Sequence, residues 1–331
     1  MANYTYPTQP THPTHPTHPT HPRLVEIAEI GVGLGAFSLN LPPPTPFSAN
    51  LWIRRWQLED GKEVGTPMDA GSTVYNIAVS RDGKWVVSGT DSGFVMVWDA
   101  ENHSKVTEWK AHSRAVFAVD VSPDGTRIAT GSNDRTLCVW SLSGSSGERL
   151  LGPFKHDEFV VAVKFSPNGN LIATATWQRD SVRVYDLEKG TSRFRFVFSI
   201  TVGSQFNQSL AWASDSKQLF VLSRDGNIHC LDVSTGKTRL TWRIHSSDEA
   251  RCIALAGDGT FIVVSANSSV SFWNTTTHEQ IGSVIEHTHV IWVMAVSANY
   301  DLVSGGQKTV TLSGLYDILP SRYFANVRVS A

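Results

Sequence analysis

A chain of 331 residues has room for about two domains of roughly 150 residues each, or for one larger unit built by repetition. Apolar residues make up 41% of it and glycine adds another 25 positions, a globular composition that excludes global disorder. With 28 Lys and Arg against 30 Asp and Glu, the net charge of −2 lacks the excess that drives binding to nucleic acid or to an anionic membrane surface, so neither is an expected partner.

Residues 1–22 form a low-complexity tail in which PTQPTHPTHPTHPTHP places proline at nearly every third position. Proline removes backbone donors, so the tail is expected to be disordered, extended and polyproline-II-like. In that geometry His12, His15, His18 and His21 align on one face roughly 9 Å apart, too far for neighbours to share a metal ion. The N-terminus lacks the basic region and apolar core of a secretory signal, and no apolar stretch approaches the length of about 18 residues that a membrane helix needs. Three cysteines, Cys138, Cys230 and Cys252, form no CxxC pair, so reduced, inert thiols and a cytoplasmic or nuclear location are the expectation.

From about residue 70 the chain repeats itself. VYNIAVSRDGKWVVSGT, VFAVDVSPDGTRIATGS, VVAVKFSPNGNLIATAT, SLAWASDSKQLFVLS, CIALAGDGTFIVVSA and IWVMAVSANYDLVSGG each read as a strand, a tight turn and a second strand. The turn residues Asp82, Asp124, Asn168, Asp215, Asp258 and Asn299 lie 42, 44, 47, 43 and 41 positions apart. A period near 43 suits one four-stranded blade. A third alternating strand follows in most units: FVMVWD, TLCVWS, SVRVYD, IHCLD and SVSFWN, with Trp98, Trp140 and Trp273 in one column and Tyr185 and Leu231 substituting.

On these motifs, over roughly residues 51–316, the chain resembles the WD-repeat family of β-propellers. The segment EVGTP at residues 63–67 gives it a loose likeness to fungal WD-repeat arrays. The resemblance implies a structural tetrad of loop His, strand hydroxyl, turn Asp and Trp, complete here only as His112, Thr130, Asp134 and Trp140. Other units keep fragments: His156, His245 and His287 in the loop, Ser88 and Ser304 on the second strand, Asp225 in the turn. Gly71 stands where the first His is expected.

We expect an all-β propeller over residues 23–331, most simply of seven blades at roughly 44 residues each, with degenerate first and last blades and six blades as the alternative. Trp56 aligns with Trp98, so residues 51–68 supply third and fourth strands of an earlier unit. AFSLN, ending 42 positions before Asp82, resembles a first strand and its turn, which would put Pro42, Pro43, Pro44 and Pro46 in the second strand. At the other end, Pro320 precedes the last strand-like run. Closure of such rings normally shares strands between the two chain ends.

Candidate chemistry is sparse. His287 and His289 offer two imidazoles without a neighbouring acid or Cys, GVGLG at residues 31–35 lacks the rest of a phosphate loop, and no G-x-S-x-G elbow occurs. No catalytic residue, metal or cofactor is therefore expected. First strands are mostly apolar, with Asp120 and Lys164 as exceptions that can pair. By the resemblance, residues just past the loop His line one face of the ring: Thr73, Arg114, Glu158, Asp248, Glu249 and His289, joined by Trp177, Arg179 and Arg224 from the central turns. The expected function is a monomeric, non-catalytic scaffold that holds a protein or peptide on this mixed-charge face. The alternatives are a propeller module of a larger signalling assembly and a hydrolase with its site in the channel.

Overall fold

The computed structural model describes residues 26–27, 36–39, 52–56, 62–142, 147–177, 181–187, 194–201, 209–223, 226–244, 250–256, 259–296, 300–306 and 310–324. The N-terminal tail and Pro42, Pro43, Pro44 and Pro46 lie outside them. The described chain is all-β, apart from short 3-10 turns near its end.

Among the described residues, seven antiparallel sheets follow one another in sequence. The first holds Glu26–Ile27 (β1), Ala36–Leu39 (β2), Trp52–Trp56 (β3) and Glu63–Asp69 (β4). The second holds Val74–Val79 (β5), Trp85–Thr90 (β6), Phe94–Asp99 (β7) and Lys105–Lys110 (β8); the third, Val116–Val121 (β9), Arg127–Ser132 (β10), Thr136–Ser141 (β11) and Arg149–Lys155 (β12). The fourth comprises Val160–Phe165 (β13), Leu171–Thr176 (β14), Ser181–Leu187 (β15) and Phe194–Thr201 (β16). The fifth comprises Ser209–Trp212 (β17), Gln218–Leu222 (β18), Asn227–Asp232 (β19) and Lys237–Arg243 (β20). The sixth comprises Ala250–Leu255 (β21), Phe261–Ala266 (β22), Ser269–Asn274 (β23) and Ile285–Glu286 (β24). Ile291–Val296 (β25), Asp301–Gly306 (β26) and Val310–Gly314 (β27) make the seventh, after which the chain enters the 3-10 turns Leu315–Asp317 (η1) and Ser321–Phe324 (η2). First strands of successive sheets lie side by side, from β1 against β5 through to β21 against β25, and β25 returns to β1.

The N-terminal reading needs one correction. Ala36–Leu39 is the second strand of its sheet, paired on one side with β1 and on the other with β3. The prolines at 42–46, outside the described residues, follow that second strand in the sequence and precede the third. AFSLN matches KFSPN locally, but Phe37 opposite Arg55 is a pairing that a local match cannot reveal.

The turn between first and second strands is built the same way in three units. Ser122 Oγ donates to Asp124 Oδ1 at 2.5 Å and accepts from the Arg127 N–H at 2.9 Å, while Asp124 Oδ1 accepts from the Thr126 N–H at 3.0 Å. Ser80 with Asp82, and Ser166 with Asn168, repeat the pattern. Gly125 closes the turn at φ +68°, a conformation glycine adopts without steric cost. Although partial burial opposes it, hydrogen bonds from Ser122 and Thr126 hold the Asp124 pKa down to about 2.

The core lies between sheets. Ala129, Leu137 and Val139 of the third sheet pack with Val160, Val163 and Ile172 of the fourth, whereas Ile128, Cys138 and Trp140 turn the other way onto Val87, Val95 and Val97 of the second. Period-two alternation thus sorts side chains between two apolar neighbours, and β6, β10 and β14 are buried almost throughout. Each fully buried Val, Leu or Ile contributes roughly 1.5–3 kcal/mol relative to leaving it exposed. Outer strands β8, β12 and β20 are largely exposed and carry Lys105, Lys110, Arg149, Lys155, Lys237, Arg239 and Arg243, charges that discourage edge-to-edge pairing.

Glycine sets the spacing between sheets. A Cβ on Gly131 would stand 2.6 Å from Val160 Cγ1, and one on Gly89 2.7 Å from Val116 Cγ1. Overpacking of this kind costs about 1–3 kcal/mol. Gly131→Val should therefore lower the denaturant midpoint by that equivalent, whereas Lys105→Ala on an exposed outer strand should shift it by less than about 0.5 kcal/mol. Equilibrium unfolding of the two variants checks the contrast.

Candidate functional site

The third sheet shows how the loop before each inner strand is held. His112 lies in the loop before β9, Thr130 on β10, Asp134 in the turn after it and Trp140 on β11. Trp140 Nε1 donates to Thr130 Oγ1 at 2.9 Å, Thr130 Oγ1 lies 2.7 Å from His112 Nε2, and His112 Nδ1 lies 3.1 Å from both Asp134 carboxylate oxygens. With Trp140 only able to donate and the carboxylate only able to accept, the protons run one way along the chain: indole to hydroxyl, hydroxyl to imidazole, imidazole to carboxylate. Burial pushes the Asp134 carboxyl up, but hydrogen bonds from His112 and Thr136, attraction to the imidazole and the Ser113 N–H together hold it well below the usual carboxylate range.

The neighbouring sheets keep partial versions. In the second, Trp98 Nε1 donates to Ser88 Oγ at 3.0 Å without a histidine. In the fourth, His156 Nδ1 donates to the Phe154 carbonyl at 3.2 Å, leaving Nε2 to accept from Thr174 Oγ1 and Tyr185 Oη, each at 3.0 Å. Thr174 was not singled out in the sequence, although it lies 44 positions after Thr130 in the same alternating frame. His287 reaches Ser304 Oγ only at 3.4 Å. His245 and Asp225 lie outside the described residues.

Inner strands are joined by side chains instead of a backbone ladder. Asp120 Oδ2 accepts from the Phe165 N–H at 2.7 Å and Oδ1 pairs with Lys164 Nζ at 3.1 Å. Asn76 Oδ1 accepts from the Val119 N–H at 2.8 Å, and Ser209 Oγ from the Ile253 N–H at 3.2 Å. The polar residues of the inner strands thus link one sheet to the next. Among the described residues, no group of three or more His, Cys, Asp or Glu is arranged to hold a metal ion. No helix among them is long and apolar enough to cross a membrane. Burial lifts the Cys138 thiol to about 11, so it is protonated at neutral pH and a poor nucleophile.

The sequence-designated face residues are placed as follows. Thr73, Arg114, Glu158 and His289 occupy the loops before β5, β9, β13 and β25, and they make no hydrogen bond or ion pair with one another. Arg114 and His289 are exposed, Thr73 and Glu158 half-buried, and His289 Nδ1 is 2.8 Å from Thr288 Oγ1. Trp177, half-buried after β14, donates its backbone N–H to the Phe159 carbonyl at 2.9 Å. Arg179, Arg224, Asp248 and Glu249 lie outside the described residues.

The structure brings together a different set at the mouth of the inner strands. Tyr75 and Phe117 meet edge to face at 5.1 Å, Phe117 and Phe159 at 6.5 Å, and the Arg135 guanidinium lies 5.8 Å from the Phe159 ring centre. This row crosses three sheets. Tyr75 is 36% exposed. The signal was available one to three residues beyond the designated positions, where VYN and VFA carry large aromatics out of phase with the buried alternation.

Burial, with a smaller contribution from Arg183, lowers the His156 pKa to about 4, against an ordinary value of 6.5. A folded-state pKa below the unfolded one means that the unfolded chain binds the proton first. The stability contributed is complete above about pH 6.5 and is lost as pH falls toward 4, a loss of roughly 3 kcal/mol. Unfolding titrations between pH 7.5 and 4.5 should show a steeper decline for the native chain than for His156→Gln, which has no imidazole to protonate.

Residues 61–99, which hold β4 to β7, and 103–141, which hold β8 to β11, match the family described as WD domain, G-beta repeat. Residues 157–311 match the family described as outer membrane protein assembly factor BamB. Over 171 residues, 47% of its length, the chain is 30% identical to Protein HIR1 of Yarrowia lipolytica (strain CLIB 122 / E 150), of which it spans 14%. The tetrad of the third sheet and the turns at Asp82 and Asp124 lie where the match is to WD units, so the chain carries WD repeats over residues 61–99 and 103–141.

Proposed function

We propose that this chain is a non-catalytic interaction scaffold: a seven-bladed WD-repeat ring, formed from residues 23–331, that binds a peptide or protein on the face carrying the loops before its inner strands. The observation that carries the reading is the row Tyr75, Phe117 and Phe159, with Arg135 over its end and the exposed Arg114 beside the third inner strand. Aromatic rings and Arg are the residues in which binding energy concentrates at interfaces. Their positions are fixed by inner strands and short turns, so a partner meets a largely preformed surface and little ordering entropy opposes binding. Asp120, the inner-strand acid that the sequence singled out, bonds to Lys164 and to the Phe165 N–H.

Thr73, Glu158, Trp177 and His289 belong to the rim of this face in the proposal, as do Arg179, Arg224, Asp248 and Glu249. A net charge of only −2 agrees with a protein partner rather than nucleic acid or a membrane. A second reading, a propeller module of a larger assembly, draws support from the small share of HIR1 that the similarity covers.

The test is capture from lysate of the source cell with the native chain and with Tyr75→Ala/Arg114→Glu. Loss of at least tenfold of a captured protein, with the unfolding midpoint unchanged to within about 1 kcal/mol, is the expected result. Equal capture by both forms would remove the face from consideration.

A further inference from the structure

Arg135 occupies a backbone position that its counterparts give to glycine. In the turns between second and third strands, Gly93 of the second sheet, Arg135 of the third and Gly226 of the fifth have φ of +83°, +67° and +80°. Each donates its N–H to the carbonyl three residues back, Thr90, Ser132 or Ser223, at 3.1, 3.1 and 3.0 Å, so the three turns are built alike. A left-handed conformation costs glycine almost nothing and costs an L side chain free energy, and residues kept in it concentrate where they serve a function. The turn itself does not require the side chain, since two other units close it without one.

The Arg135 side chain is exposed yet held in place. Its Nη1 donates to the Asp157 carbonyl at 3.2 Å, and its guanidinium lies 5.8 Å from the Phe159 ring centre. The exposed Arg114 stands at the same corner. The carbonyl of its neighbour Ala115 accepts from Ser132 Oγ at 2.8 Å and from the Asn133 N–H at 2.9 Å, which fixes that loop against the turn. Neither arginine pairs with a carboxylate among the described residues. The nearby acids are engaged or sheltered: Arg183 Nη2 donates to Asp157 Oδ2 at 2.5 Å, Ser72 Oγ donates to Asp91, and Glu158 is half-buried. Free positive charge at this corner therefore exceeds free negative charge.

The rings beside it limit what can bind. Tyr75 and Phe117 stand at 82° and Phe117 and Phe159 at 62°, so they do not offer the parallel faces on which nucleic-acid bases stack. Their centres are 5.1 and 6.5 Å apart, close to the roughly 6.6 Å between alternate side chains of an extended peptide.

We infer that the turn at Arg135 is a carboxylate-binding site and that the ring face takes an extended acidic peptide, with an Asp or Glu side chain on the Arg135 and Arg114 guanidiniums and a large apolar residue two positions away against Phe117 and Tyr75. This partner chemistry rests on the scaffold reading of the same face and makes it specific. Arg presents paired donors that suit a carboxylate, and a guanidinium already held by Asp157 and Phe159 gives up little freedom on binding.

Short random peptides displayed on phage and selected on the full chain provide the probe. The selected sequences should be enriched in Asp or Glu two positions from a large apolar residue. A synthetic peptide of selected sequence should bind Arg135→Gly at least tenfold more weakly than the native chain by fluorescence polarisation, and Arg135→Lys, which keeps the charge and loses the fork, should recover only part of the binding. Because Gly93 and Gly226 close the same turn, the unfolding midpoint of Arg135→Gly should not fall, and lost binding then reports on the side chain alone. Peptides without an acid whose binding falls with Tyr75→Ala would overturn the acidic partner and leave the ring face standing. Peptides that bind Arg135→Gly and Tyr75→Ala as tightly as the native chain would overturn both. Displacement of the selected peptide by a short oligothymidylate at equal charge would assign the arginines to a phosphate backbone and overturn the peptide. A selection that yields no sequence above background would also overturn it, with capture from lysate left to decide the face.

Discussion

Among the described residues the second to sixth sheets are apolar on both faces, and a sheet with two apolar faces needs a neighbour on each side. A bundle of two layers would leave two faces in water. The arrangement that leaves none is one in which each sheet stands between two others, and the side-chain clusters follow that rule from the first and second sheets to the sixth and seventh. Small residues set how closely the sheets approach: Gly89 and Gly131 admit Val116 and Val160, and Ala175 holds the corresponding place in the fourth sheet.

Packing of this kind says nothing about the angle between neighbours or about where their inner strands sit. Polar side chains supply that information. Asn76, Asp120 and Ser209 each reach from one inner strand to a backbone N–H of the next, giving those amides a partner that no β-ladder provides. The His112 and His156 networks tie the loops before β9 and β13 to the second and third strands of the same sheets. Where the histidine is absent, as in the second sheet, the Trp98 indole still finds Ser88, so the network contracts without leaving its donor unsatisfied. The repeat therefore tolerates the loss of tetrad members provided that both ends of a bond disappear together.

The same construction determines which surfaces remain for interaction. Among the described residues, middle strands are enclosed and the outer strands β8, β12 and β20 carry Lys and Arg, which leaves the loop-bearing faces as surfaces for interaction. On the loop-bearing side, aromatic residues of three consecutive units stand in a row because their inner strands are themselves adjacent. Residues more than forty positions apart in the chain thereby form one surface.

The sequence by itself determined the repeat, the strand and turn of each unit and the third-strand Trp column, because these rest on period-two alternation and on local turn hydrogen bonds such as Ser122 to Asp124. Trp56 could be assigned to a third strand on the same basis. Local pattern misassigned AFSLN, since strand order within a sheet is a matter of partners and Ala36–Leu39 has one on each side. Local pattern named Thr73, Arg114 and Glu158 for the face, and the structure adds the rings one to three positions further on, Tyr75, Phe117 and Phe159, which meet one another. Only the tertiary structure decided which of these side chains touch, because contacts between inner strands are made from one unit to the next; the Asp120–Lys164 pair that the sequence offered is formed, and the rings recur at the repeat period of 42 positions.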